Sequence, residues 1–66
     1  MRIFVNSQER EVPGGATVQQ LVELSDLTQK RVAIEVNAEL VVKAAWTSHV
    51  LQPDDRVEIV SFVGGG

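Results

Sequence analysis

A single stretch of this chain repeats its apolar residues at helical spacing, while the longer apolar runs around it alternate with a period of two. In the helical stretch Val18, Leu21, Val22 and Ser25 fall on one face, with Leu24 and Leu27 flanking it. Thr17 opens it, and Gln20 three residues later completes a T-x-x-Q capping box. A helix over Val18 to Ser25 is predicted, with Thr28-Gln29-Lys30 leading out of it. Before it, Met1, Ile3 and Val5 alternate with Arg2, Phe4 and Asn6 as in a strand. Asn6-Ser7-Gln8 has turn chemistry, and Glu9 to Val12 can return as an antiparallel partner. Pro13-Gly14-Gly15 then separates this hairpin from the helix.

Beyond the helix, Val32, Ile34 and Val36 point one way and Ala33 and Glu35 the other. Arg31 to Val36 is therefore read as a strand that stops at Asn37-Ala38. Glu39 to Val42 is a brief extended piece, and Lys43-Ala44-Ala45-Trp46 is one helical turn. Gln52-Pro53-Asp54-Asp55 is a turn whose proline presets φ. Arg56 to Val63 is the clearest strand, with Val57, Ile59, Ser61 and Val63 on one face and Glu58, Val60 and Phe62 on the other. The order strand, strand, helix, strand, short strand, strand implies an α+β fold. A mixed sheet of four to five strands is covered by one helix, with a short helical turn added. The first and last strands are the most apolar and belong side by side in the centre, parallel to each other as a crossover helix requires. That layout is the β-grasp.

At 66 residues the chain holds one small domain, which buries only roughly 60% of its unfolded surface. It has no cysteine, so disulfides, thiolate metal sites and cysteine nucleophiles are excluded and the core alone must hold the fold. Cysteine-free composition places it in the cytoplasm as an expectation. With 44% apolar and 23% charged residues, the composition is that of a folded domain. No apolar run approaches the ~18 residues of a membrane span, and the N-terminal apolar stretch is too short for a secretory signal. The net charge is −3. Its whole excess lies after residue 33, where Lys43 and Arg56 face Glu35, Glu39, Asp54, Asp55 and Glu58. An acidic half argues against nucleic acid as a ligand and suits a basic protein partner.

Enzyme signatures are missing. The lone His49 has no ligand neighbours at metal-binding spacing and reads as a turn-region surface histidine. Ser7, Ser25, Ser48 and Ser61 have no nucleophile-elbow motif or evident base. Asp54-Asp55 reads as a solvated turn. Pro13-Gly14-Gly15 precedes a helix but lacks the further glycines and the Lys-Ser/Thr of a phosphate loop. Trp46 among alanines reads as a lid over the end of the core. No catalytic residue and no metal site are assigned, and no bound cofactor is expected.

The chain closes on Gly64-Gly65-Gly66, directly after its strongest strand. Glycines there add no packing and raise the entropic cost of order. They do provide a slender arm, about 10 Å long when extended, with a carboxylate at its tip. Ionised at neutral pH, that carboxylate must be activated before a nucleophile can attack it. The expected organisation is a β-grasp domain over 1–63 and a flexible reactive tail over 64–66.

A β-grasp ending in Gly-Gly resembles the ubiquitin-like family, and Met1-Arg2-Ile3-Phe4-Val5 is similar to ubiquitin's first strand. Asp54-Asp55-Arg56-Val57-Glu58-Ile59-Val60-Ser61-Phe62-Val63-Gly64-Gly65-Gly66 resembles the close of the ThiS branch, the sulfur carriers of thiamine biosynthesis. Val32 to Val41 is similar to that branch's third strand and following turn. The resemblance implies a protein co-substrate rather than an enzyme. Gly66 would be adenylated by an E1-like ThiF enzyme using ATP and magnesium, with Gly64 and Gly65 as the arm. Sulfur from cysteine, delivered through a desulfurase, would then make a thiocarboxylate that donates sulfur to the thiazole synthase ThiG. MoaD of molybdopterin synthesis shares the fold and the Gly-Gly end but is longer. A non-reactive β-grasp interaction module is the reading of a different class. The docking face is expected at Phe4, Glu58, Val60, Phe62 and Val63, because outward apolar residues at the root of the tail mark a partner site.

Overall fold

The computed structural model describes residues 1–27 and 30–62. Five strands and one helix form in the order β1 (Arg2–Val5), β2 (Gln8–Glu11), α1 (Val18–Leu24), β3 (Val32–Val36), β4 (Glu39–Leu40) and β5 (Arg56–Ser61), with a 3-10 turn at Lys43–Ala45 before β5. The sheet runs β2-β1-β5-β3-β4. β1 and β5 are parallel neighbours in its middle, and the other pairs are antiparallel. The α+β, β-grasp layout expected from the alternation is the one present.

Two-residue turns decide the element ends. Asn6 and Ser7 both take positive φ, +50° and +69°, the geometry that matches the twist of a tight hairpin. Val5 therefore faces Gln8, and β2 starts one residue earlier than the sequence suggests. Val12 leaves the strand for the core, with its N–H donating to the Met1 carbonyl. Asn37 and Ala38 repeat the turn at +52° and +68° and join β3 to β4. β4 is only two residues long, although the Val41 N–H still donates to the Ile34 carbonyl at 2.8 Å.

Helix α1 starts where its capping box places it. The Thr17 hydroxyl accepts from the Gln20 N–H at 3.2 Å, and the Gln20 side chain accepts from the Thr17 N–H at 2.9 Å. The next free donors are taken as well: Val18 N–H binds the His49 carbonyl and Gln19 N–H the Trp46 carbonyl, both at 3.0 Å. The helix ends at Leu24, and Ser25, the expected last residue, is its C-cap. Val18, Leu21 and Val22 press onto Ile3, Ile34 and Val57 of the sheet to make the core. Trp46 closes one end of it, buried, with its indole N–H donating to the Val41 carbonyl at 3.0 Å.

Candidate functional site

On the face of the sheet turned away from α1, alternation along β5 places Arg56, Glu58 and Val60, with Phe62 next in the series, while Val57 is buried and Ile59 partly so. The β3–β5 register sets Ala33 beside Val60 and Glu35 beside Glu58. On β3's other side Leu40 stands next to Glu35. The Val41–Ile34 hydrogen bond continues that ladder by one step, with Val41 buried, so Val42 comes out beside Ala33. An apolar strip results. Leu40, Val42, Val60 and Phe62 are 65%, 58%, 54% and 59% exposed, far beyond what folding alone favours for side chains of this size.

Phe4 does not join the strip. Its register partner is Arg56, which leaves Val60 about 13 Å farther along β5, four residues at roughly 3.3 Å each. The Phe4 ring is half-buried, with the guanidinium carbons of Arg2 and Arg56 each 5.3 Å from its centroid. Arg2 is held by Asp54 at 2.8 and 3.0 Å. Hydrogen bonding and attraction from Asp54 raise its already high pKa further. The sequence groups Phe4 with Val60 and Phe62 because it points outward; the β1–β5 register sets it apart from them, beside two guanidinium groups at cation–π distance. Leu40 and Val42 take its place in the strip. Their signal lies in the run Leu40-Val41-Val42, whose middle residue alone faces the core.

Val63 and Gly64 to Gly66, with the expected domain boundary, lie outside the described residues. The last described anchor of β5 is the Phe62 N–H, donating to the Arg31 carbonyl at 2.9 Å. The strip therefore sits at the root of that segment.

Three of the remaining candidates have structural work. Asp55 is buried and accepts from the Gln52 N–H at 2.8 Å and the Asn37 amide at 3.0 Å. Asp54 holds Arg2, and the Ser48 hydroxyl donates to the Ala45 carbonyl. Among the described residues no three His, Cys, Asp or Glu side chains come together as a metal site. After the Pro13-Gly14-Gly15 loop, the Ala16 N–H and the first donors of α1 are all engaged within the chain. Among the described residues no helix is long and apolar enough to cross a membrane.

The family model described as the ThiS family matches residues 2–66. The chain belongs to the ThiS family. The sulfur carrier protein ThiS of Escherichia coli K12 is 30% identical over 66 residues, covering all of both chains. The crystal structure of the thiamine biosynthesis protein ThiS from Geobacter metallireducens superposes with a TM-score of 0.85 at 28% identity, again covering both chains fully. A thiazole synthase of Paramagnetospirillum magneticum is 33% identical over all 66 residues, which make up 20% of that protein. The chain thus spans about a fifth of the length of the thiazole synthases it matches.

Proposed function

We propose that this ThiS-family chain is the sulfur carrier for the thiazole ring of thiamine, a protein co-substrate and not an enzyme. The observation that carries the reading is the end-to-end match to a sulfur carrier, which runs through the glycines to Gly66. A ThiF-like enzyme activates Gly66 with ATP and magnesium: a carboxylate oxygen attacks the α-phosphorus and pyrophosphate leaves. A persulfide sulfur supplied from cysteine by a desulfurase then attacks the acyl carbon and AMP leaves. A thiol reductant cleaves the resulting S–S bond, being oxidised to a disulfide as the thiocarboxylate is freed. Thiazole synthase receives the sulfur from the resulting thiocarboxylate. A segment 33% identical to this chain makes up 20% of two longer thiazole synthases, which supports a partnership between the two.

The sheet supplies the handle for these reactions. Val60 and Phe62, with Leu40 and Val42, give each enzyme an apolar surface at the root of the tail, so gripping it aims Gly66 into the partner's own active site. Glu58 borders this surface, and Val63 continues it in sequence. The test is intact mass after incubation with the activating enzyme, ATP, magnesium and a sulfur source. The wild-type chain should gain one sulfur-for-oxygen exchange at Gly66. A chain without Gly66 should gain none, because removing one residue moves the carboxyl by ~3.5 Å. Normal sulfur loading of the shortened chain would overturn the reading. Gly65→Leu should slow loading strongly with the melting temperature unchanged.

A further inference from the structure

Glu35 and Glu58 stand directly opposite each other across the β3–β5 ladder, both exposed on the outer face. Opposed like charges weaken a strand pair. The ion pairs among the described residues are Met1–Glu11, Arg2–Glu9 and Arg2–Asp54, and none of them neutralises this pair. Arg56, two residues before Glu58, is stacked on Phe4. Leu40 flanks Glu35, and the adjoining row of the sheet is Ala33 and Val60. Two carboxylates without a counter-charge among the described residues therefore border the apolar strip, a local conflict that does nothing for the fold. Such conflicts concentrate where function needs them.

We propose that this face docks a partner surface in which an arginine or lysine is surrounded by apolar side chains, the cation seating between Glu35 and Glu58, and that the partner is thiazole synthase. The inference rests on the carrier reading above, and thiazole synthase is chosen as the occupant because a segment similar to this chain makes up part of longer thiazole synthases. Charge complementarity selects the occupant: a neutral apolar surface would desolvate both carboxylates with nothing in return, whereas a cation relieves their repulsion as the strip is buried. The acid pair thereby rejects apolar surfaces that the strip alone would accept.

The test compares the wild-type chain with the E35Q/E58Q variant, which keeps side-chain shape and removes both charges. Each is titrated calorimetrically against thiazole synthase at low and high salt, melted alone, and loaded with sulfur by the activating enzyme. The variant should melt about 1–5 °C higher. It should bind about tenfold more weakly at low salt, with the difference shrinking at high salt. Equal affinity at low salt overturns the proposal, as does wild-type binding too weak to detect. A weakening that persists in high salt and comes with a lower melting temperature also overturns it, since that marks a structural role. Failure of the carrier reading is distinct: the wild-type chain would bind the synthase in a charge-dependent way yet never gain sulfur.

Discussion

Asp55 shows how much of this small fold hangs on single polar residues. Its two oxygens take one backbone and one side-chain donor, and Asn37, which it holds, in turn accepts the Arg56 N–H at 3.0 Å through its own oxygen. The β3–β4 turn is thereby tied to the start of β5. Asp55→Ala strands these donors and should cost about 2–3 kcal/mol. In a domain of this size that lowers the melting temperature by roughly 10 °C or more, readable by circular dichroism. Phe4 and Phe62 differ in the same way. Phe4→Ala removes the ring that two guanidinium groups approach at 5.3 Å and should reduce stability, with little effect on partner affinity. Phe62→Ala should do the reverse, and comparing melting with titration calorimetry separates the two.

Among the elements, α1 has only seven residues, too short to persist without its ends secured. Thr17→Ala removes half of the capping box and should cost about 1 kcal/mol. That corresponds to about 4–8 °C in melting temperature. β5 has its own end device. Where β1 stops, the Asn6 side chain continues its ladder, accepting from the Ile59 N–H at 2.8 Å and donating to the Ile59 carbonyl at 3.2 Å. Asn6→Ala loses both bonds and puts alanine at a φ of +50°, which asparagine tolerates better. A loss of about 1–3 kcal/mol is expected in chemical denaturation.

At the scale of the whole molecule, one layer of sheet separates the two uses of apolar surface. The inner face is sealed by α1 and Trp46, while the outer face leaves Leu40, Val42, Val60 and Phe62 uncovered. On the proposed carrier function, the activating enzyme and thiazole synthase both need the residues after Phe62, so they should compete for this face. Val60→Asp should weaken both by about tenfold or more, while the melting temperature moves by no more than about 2 °C. Independent, simultaneous binding of the two enzymes in a pull-down would place one of them elsewhere.

Local rules were enough to read the helix start, the first hairpin, the break at Pro13-Gly14-Gly15 and the inward faces of β1, β3 and β5, because capping and alternation are written in residues three or two apart. They were also enough to pick out the outward Val60 and Phe62. They could not show which outward residues become neighbours, because alternation assigns a face while the hydrogen-bond ladder assigns a position along it. The parallel offset that pairs Phe4 with Arg56 takes Phe4 away from Val60, and the β3–β4 turn brings Leu40 and Val42 toward it. Glu35 and Glu58 lie 23 positions apart in the chain, and only the β3–β5 register makes them one charged pair.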